Sequence, residues 1–411
     1  MKMVTNWPNA IAHIDCDAFY ASCEAARRPD LKGRPICVLS SQNAIVVAKS
    51  YDAKALGITT GMPVWEAKKL APQAEFLAAD FRYYGQLSHK LFSILRRYSP
   101  DIEVYSIDEG FIDMNGIRTL WRKPFRQLAD EIRQSVEREV GITVSVGISV
   151  TRILAKMASE SNKPNGSTVI PGKRIERFLA DIAVSDIPGI GRNRAALLHK
   201  FNIHTALQFI HIEESLMQRL LGRHGLILKQ ELSGIAVMGL EVNPPLPKSI
   251  ARTASMGEVT KSRQLVTAHL SYHTMRLVSE LVAKQLFTRR IHVFLTLSTF
   301  EKRGADIRLD LPSSSLRRIA AAVKEGFITL FRVDESYRGC GIVATHISRA
   351  ASATPDLFGL SKEDSRQTEL MLTVNRINKR YGDCTVSLAT IQTVKEKKRR
   401  VRFCYPLFIA S

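Results

Sequence analysis

Residues 105–113 (YSIDEGFID) place two adjacent carboxylates, Asp108 and Glu109, in the middle of an apolar, β-branched segment. Burying two anions this close together is unfavourable unless a cation or hydrogen bonds compensate. Neighbouring strand side chains point to opposite faces, so the pair can approach one point only where the backbone bends, and Gly110 is placed to allow that bend. The segment predicts either a site for a hard divalent cation such as Mg²⁺, Mn²⁺ or Ca²⁺, or a hairpin with two solvated acids.

A second acidic segment, residues 11–20 (IAHIDCDAFY), favours the cation site. Its pattern is that of a short buried strand that runs into a helix beginning near Ala18. Asp15 lies within the strand and has no capping role there. Asp17 either joins the same acidic group or caps the helix by accepting hydrogen bonds from its first amides.

The charge balance points to a polyanionic partner. The 411 residues include 59 Lys and Arg against 39 Asp and Glu, a formal net charge of +20. Such an excess accelerates association with nucleic acid and makes the affinity fall with salt. No apolar stretch reaches the roughly 18 residues needed to span a bilayer, and the N-terminal residues do not resemble a signal peptide. Six Cys without a C-x-x-C pair fit a reducing compartment, so we expect a cytoplasmic protein without structural zinc.

Strand and helix patterns alternate through residues 11–161. Residues 35–48 predict a small hairpin, and residues 81–98 and the segment after Asn115 predict amphipathic helices. Residues 143–149 then alternate as a strand, and a helix follows to residue 161. This order, with the acidic hairpin in its middle, predicts a ferredoxin-like α+β sheet with helices on one face.

The rest of the chain divides into a helical segment, a linker, a basic module and a tail. Residues 187–191 (IPGIG) either present backbone amides to phosphate at a helix start or form a tight turn between helices. Residues 243–247 (NPPLP) predict a linker. Residues 248–350 carry 17 Lys and Arg against 8 Asp and Glu and alternate strands with helices, which indicates a basic α/β module. The charged run at 395–400 is assigned only a supporting role with nucleic acid.

Four motifs together resemble the Y family of lesion-bypass DNA polymerases, in the expected order. They are DCDAFY at 15–20, SIDE at 106–109, KPNG at 163–166 and PGIG at 188–191. The chain resembles bacterial DinB/UmuC-type enzymes, and the segments at 18–24, 28–31 and 370–385 are similar to UmuC whereas KPNG is similar to DinB. The resemblance implies a template-directed, low-fidelity polymerase without proofreading that performs translesion synthesis in the SOS response to DNA damage.

The resemblance also implies a right-handed polymerase of class α+β. A ferredoxin-like palm would comprise residues 1–18 and 85–174, and small fingers residues 19–84. A helical thumb with a helix-hairpin-helix motif would comprise residues 175–242, followed by the linker at 243–247. The basic α/β module at 248–350 would be the little finger, and residues 351–411 a C-terminal tail.

Residues of the Y-family site carry over onto matching positions of this sequence. The metal ligands are Asp15, Asp108, Glu109 and the main-chain carbonyl of Cys16, which would hold two Mg²⁺ ions, with Mn²⁺ as a substitute. The resemblance places Phe19 and Tyr20 at the incoming nucleotide. Tyr20 would be the steric gate that excludes a 2′-hydroxyl or, alternatively, an ordinary core aromatic. The incoming triphosphate would be held by Tyr51, Lys54 and Lys163. Many members have Arg where this chain has Lys54, which weakens bidentate recognition of phosphate.

The resemblance implies primer-template DNA and deoxynucleoside triphosphates as partners. Gly189, Gly191 and Arg192 would contact DNA. The tripeptide 356–358 (DLF) resembles the core of a sliding-clamp peptide but lacks the usual leading Gln, so it predicts either clamp docking or a plain linker, and a UmuD-like accessory subunit is a further candidate partner. Two rival functions remain open: a catalytically silent DNA-binding relative, which the intact Asp15, Asp108 and Glu109 disfavour, and a nucleotidyl cyclase, which leaves the helical and basic segments unexplained.

Overall fold

The computed structural model describes residues 7–40, 44–349, 360–382, 384–391 and 394. The chain forms two compact units, Met1–Pro244 and Pro245–Ser411, whose boundary falls inside the predicted linker. The clamp-like tripeptide 356–358 and the charged run at 395–400 lie outside the described residues. Among the helices that are described, none is long and apolar enough to cross a membrane.

The first unit is a mixed α+β structure, as the sequence predicts. Its first half contains, in chain order, β1 (Ile11–Cys16), α1 (Phe19–Arg27), β2 (Ile36–Leu39), β3 (Val46–Lys49), α2 (Tyr51–Ala55), α3 (Val64–Leu70), β4 (Glu75–Ala78), α4 (Phe81–Leu95), β5 (Ile102–Val104) and β6 (Glu109–Asp113). Its second half contains α5 (Ile117–Trp121), α6 (Phe125–Val140), β7 (Val144–Ser149), α7 (Arg152–Glu160), β8 (Ser167–Ile170), α8 (Ile175–Leu179), α9 (Arg192–His199), α10 (Ala206–Ile210) and α11 (Glu214–Leu232).

The central sheet of this unit has the strand order β5-β6-β1-β7-β8, with β1 antiparallel to both neighbours. Val146 of β7 packs in one core with Leu128 and Ile132 of α6. Gly147, the next residue, faces α7 so closely that a Cβ would lie 2.2 Å from the carbonyl oxygen of Ala155. Helices therefore cover both faces, and the prediction of helices on one face is wrong because the small residues of β7 leave room for α7 on the second face.

A separate three-stranded sheet, β3-β2-β4, forms with α2 and α3 a small subdomain that has its own apolar core. The predicted hairpin is confirmed, since β2 and β3 pair antiparallel. The helices α8–α11 form another core with one side of α7. In sequence, the small subdomain is inserted between β1 and β5 of the central sheet, and α8–α11 follow β8.

The second unit is built on one antiparallel sheet of order β11-β10-β12-β9. Its elements are β9 (Ser249–Thr260), α12 (Arg263–Ala283), β10 (Leu286–Leu297), β11 (Lys302–Ser313), α13 (Leu316–Leu330), β12 (Tyr337–Arg349) and α14 (Leu360–Tyr381). The buried residues of β10 alternate with partly or fully exposed ones, the pattern of a sheet that is covered on one face. Met371 and Val374 of α14 join the core of this unit. The unit therefore continues past residue 350, the predicted boundary of the little finger. It does so because one face of α14 is apolar.

Candidate active site

The predicted carboxylates Asp15 and Glu109 meet at one end of the central sheet. Both belong to paired strands, and Asp15 lies directly opposite Glu109 in the register of β1 and β6. Asp108 immediately precedes β6, and its carbonyl oxygen accepts a hydrogen bond of 2.9 Å from the amide of Cys16. The antiparallel pairing thus brings two acidic segments that are about ninety residues apart in sequence to the same point.

The bend that directs Asp108 and Glu109 lies before β6. The hydroxyl of Ser106 accepts hydrogen bonds from the amides of Asp108 and Glu109 at 3.2 and 3.1 Å, which closes a turn. Gly110 stays in regular pairing with Ile14 of β1, so the predicted bend at Gly110 is wrong. The glycine has a packing role, because a Cβ there would lie 2.6 Å from the ring of Phe92.

Two lysines and a histidine hold the carboxylates. The Nζ of Lys163 lies 2.5 Å from an oxygen of Asp15. Glu109 forms an ion pair with Lys156, and the same oxygen lies 3.2 Å from Nε2 of His13. Sequence reasoning missed His13 and Lys156, although His13 lies two residues before Asp15 and so shares its face of β1.

The acidic side chains lie in unlike electrostatic environments. Burial raises the pKa of Asp108 above the ordinary value, the Ser106 hydrogen bond opposes this, and the nearby charges of Asp15 and Glu109 add to it. Burial alone would also raise the pKa of Glu109, but hydrogen bonds from His13 and Lys156 lower it to about 2. Glu109 is therefore held as an anion, whereas burial and the neighbouring carboxylates disfavour ionised Asp108, which a nearby cation would favour.

The donor set fits hard divalent cations. Ligand atoms of His13, Asp15 and Glu109 lie within 4.8 Å of one another. Both nitrogens of His13 already contact protein groups, since Nδ1 lies 2.7 Å from the hydroxyl of Ser159. The oxygens that remain for a cation belong to carboxylates, which suits Mg²⁺ or Mn²⁺ better than zinc.

Asp17 turns away from this group and is not a helix cap. The N-cap of α1 is Ala18, in a left-handed conformation and without a side-chain hydrogen bond. The carboxylate of Asp17 accepts hydrogen bonds of 2.8 Å from the hydroxyl of Ser145 and from the amide of Asn165. The capping alternative is therefore wrong, and Asp17 belongs to a buried polar network beside the site.

The residues predicted to bind the nucleotide lie on the first helices of the chain. Phe19 is buried, whereas Tyr20 is half-buried and stacks on Tyr84 with ring centroids 4.7 Å apart. Burial raises the pKa of Tyr20, and the charge of Asp108 raises it further, so the phenol lies in the field of that carboxylate. Tyr20 thus combines contact with the core and proximity to the acidic group, and its gating role stays a prediction.

The predicted phosphate-binding residues reach the site from two directions. Burial raises the pKa of the Tyr51 phenol on α2, and the charges of Asp17 and Asp15 add to the rise, so the phenol lies near these carboxylates. Lys54 is exposed on the same short helix. Lys163 reaches Asp15 from the turn before β8. The structure therefore brings Tyr51 and Lys163 to the acidic group and leaves Lys54 on the surface of α2.

The glycine-rich segment at 187–191 leads into α9. An open cavity of about 560 Å³ at the start of α9 is lined by Gly191, Arg192, Asn193 and Arg194. Gly189 has φ of 97°, and a Cβ there would lie 2.9 Å from Nε2 of His224, so both conformation and space require glycine. Two arginines beside the amides of a helix start can bind an anion, and their DNA contact stays a prediction.

Three family models match successive parts of the chain. The impB/mucB/samB family matches residues 14–160, the IMS family HHH motif residues 173–203, and the impB/mucB/samB family C-terminal domain residues 247–357. These matches span the acidic site, the glycine-rich segment and the basic sheet, which the motifs had assigned to one family.

Curated relatives match over nearly their whole length. The chain is 28% identical to DNA polymerase IV of Dehalococcoides mccartyi. The alignment covers 94% of this chain and 98% of the relative. It is 29% identical to DNA polymerase IV of Bacillus velezensis, with 95% of each covered, and 29% identical to protein ImpB of Salmonella typhimurium, with 96% of each covered.

Solved structures share the fold. One described as "Y-family DNA polymerase chimera Dbh-Dpo4(243-245)-Dbh" superposes with a TM-score of 0.69 at 24% identity, covering 83% of this chain and 99% of that one. A second, described as "Insertion ternary complex of Dbh DNA polymerase", gives a TM-score of 0.58 at 23% identity, with 83% and 99% covered. The α+β class and the polymerase architecture predicted from the sequence are thereby confirmed.

Proposed function

We propose, from the premise that this chain belongs to the Y family of DNA polymerases, that the acidic end of its central sheet performs nucleotidyl transfer during translesion synthesis. The chain is a DNA-directed DNA polymerase. The observation that carries the site assignment is the pairing of Asp15 with Glu109, with Asp108 beside them. A low-fidelity enzyme without proofreading follows from the family resemblance.

Two divalent cations would be held by Asp15, Asp108, Glu109 and the main-chain carbonyl of Cys16. When bound, such a pair lowers the pKa of the primer 3′-hydroxyl and neutralises charge that develops on the leaving pyrophosphate. Y-family polymerases depend on divalent metal in general. The choice of Mg²⁺, with Mn²⁺ as a substitute, is supported by the carboxylate donors.

The remaining residues would bind and orient the nucleotide. Lys163 would exchange its contact with Asp15 for the triphosphate, because both groups are anionic. Tyr51 would contact the triphosphate from α2. Tyr20 would place its ring against the sugar and exclude a 2′-hydroxyl.

The domain assignment is likewise a proposal. The central sheet would be the palm, the small subdomain with β3-β2-β4 the fingers, α8–α11 the thumb, and the sheet of the second unit the little finger. Primer-template DNA would be contacted by the cavity at α9 and by the basic second unit. Clamp docking at 356–358 and binding of a UmuD-like subunit stay predictions.

Primer extension with the purified protein tests the assignment. The wild-type protein should extend a labelled primer on a template only when Mg²⁺ or Mn²⁺ is added. Asp108→Ala should lose extension while it still binds the duplex. Asp113→Asn is the matched control, since Asp113 lies at the opposite end of β6.

Wild-type protein that binds the duplex but extends no primer would contradict the polymerase and favour the catalytically silent relative. Conversion of nucleoside triphosphates without primer or template would favour the cyclase.

A further inference from the structure

Asp17 is the acidic residue of the site that the proposed two-metal chemistry does not use. The residue is 1% exposed, and its carboxylate binds groups from two distant segments. Oδ1 accepts a 2.8 Å hydrogen bond from the hydroxyl of Ser145 on β7, and Oδ2 accepts one of 2.8 Å from the amide of Asn165. The phenol of Tyr51 on α2 lies in the field of the same carboxylate. Both oxygens are therefore already engaged by the protein.

The turn that carries Lys163 is fixed at several points. Asn165 has a positive φ of 56°, and its side-chain oxygen accepts a 2.8 Å hydrogen bond from Arg133. At Gly166 a Cβ would lie 1.8 Å from the carbonyl oxygen of Asn162, so only glycine fits. The hydrogen bond from the Asn165 amide to Asp17 ties this turn to the end of β1, two residues from Lys163.

Tyr51 lies near the same carboxylate. Burial raises the pKa of the Tyr51 phenol to about 12, and the charges of Asp17 and Asp15 contribute to the rise. Because Tyr51 begins α2, the first turn of that helix lies close to the end of β1.

We infer that Asp17 is a positioning residue: its carboxylate holds the turn of Lys163 against β7 and the end of β1, and so sets the position of the lysine that grips the triphosphate. The inference rests on the proposed function, in which Tyr51 and Lys163 bind the incoming nucleotide. It assigns Asp17 no contact with the metal ions. Its loss should weaken nucleotide binding more than the chemical step.

Single-nucleotide insertion by Asp17→Ala, compared with wild type and Asp113→Ala, tests this role. Alanine removes both acceptor oxygens of Asp17. We expect KM for the deoxynucleotide to rise about tenfold, while kcat changes less than about threefold. The Mg²⁺ concentration for half-maximal rate should stay at the wild-type value.

Hydrogen exchange of residues 163–166 provides a readout that does not depend on activity. In Asp17→Ala the Asn165 amide loses its acceptor, so exchange of this segment should accelerate about tenfold, whereas Asp113→Ala should leave it unchanged. If Asp17→Ala does not fold, Ser145→Ala removes one donor to Asp17 and should raise KM about threefold with kcat retained.

Two results would overturn the inference. One is an unchanged KM together with unchanged exchange at 163–166. The other is a rise in half-saturating Mg²⁺ with a fall in kcat as large as that of Asp15→Asn, which would make Asp17 a metal ligand. Faster exchange at 163–166 in the Asp17 variant, together with wild-type protein that extends no primer, would instead reject the proposed function.

Discussion

Each unit of the chain places a histidine 3.2 Å from a carboxylate, but the two pairs lie in different surroundings. In the first unit the side chain of His13 is fully buried and that of Glu109 is 15% exposed. In the second unit His292 is 36% and Asp306 58% exposed. A distance alone therefore does not identify a functional pair, since the same contact in water is worth little.

The contrast extends to the sheets that carry these pairs. The central sheet of the first unit is covered by helices on both faces, so groups that meet substrate are confined to the end of its strands. The sheet of the second unit leaves alternate residues of β10 partly or fully exposed. We interpret the first sheet as the site of chemistry and the second as a surface for phosphate contacts.

The largest expected difference concerns a buried and an exposed ion pair. Arg152 lies 2.6 Å from Glu103 in the first unit, and both side chains are 8% exposed. Arg152→Ala leaves a buried carboxylate unpaired and should lower the free energy of unfolding by about 3–5 kcal/mol. Arg303, whose pair with Glu335 is 40% and 23% exposed, is the control, and Arg303→Ala should cost about 0–1 kcal/mol.

Urea unfolding followed by circular dichroism measures both variants. Equal losses of stability would show that the two units do not differ in the burial of their charges.

A smaller effect is expected when one aromatic residue of each unit is replaced. Tyr20→Ala should raise ribonucleotide insertion about 10- to 100-fold relative to deoxynucleotide insertion, because the ring that excludes a 2′-hydroxyl is then absent. Phe294 on β10 is partly exposed, and Phe294→Ala should leave this ratio unchanged. Single-nucleotide insertion with each sugar gives the ratio. An equal fall in insertion of both nucleotides by Tyr20→Ala would make Tyr20 a core residue.

The smallest expected effect is a pH dependence. Burial lowers the pKa of His13 below 6.5, against the opposing hydrogen bond of Glu109, so the unfolded chain binds a proton that the native state does not. The native state therefore loses stability as pH falls below about 6.5. His13→Phe should make stability depend less on pH between 5 and 6.5, by up to about 1.4 kcal/mol per pH unit.

His292→Phe is the control for this titration, and the urea midpoint at several pH values gives the slopes. An unchanged slope in His13→Phe would show that His13 has the same pKa in the native and unfolded states.

The strands of the site could be predicted from sequence because their apolar patterns are regular. The adjacent acids at 108 and 109 and the acid at 15 already indicated a cation site. The second covered face could not be predicted, since the small residues of β7 fit a strand whatever packs against it. Lys156 could not be assigned either, because its place at Glu109 depends on which face of α7 meets the sheet.

The partner of Asp17 was beyond sequence reasoning for a different reason. Position 17 directly precedes a helix, and local patterns there suggest a cap. The competing groups, Ser145 and Asn165, are more than a hundred residues away in sequence and reach Asp17 only through the pairing of β1 with β7.

The salt dependence of DNA binding most directly tests the claim that the first unit performs the chemistry and the second unit contacts the DNA phosphates. Fluorescence anisotropy with a labelled primer-template would compare the full chain, Asp108→Ala and a chain lacking residues 248–411. Asp108→Ala should keep the steep salt dependence of the full chain. The truncated chain should bind far more weakly, and its slope of log affinity against log salt should be shallower by about 0.9 for each phosphate that the second unit neutralises. Equal slopes for the full and truncated chains would contradict the account, because the first unit would then hold the DNA by itself.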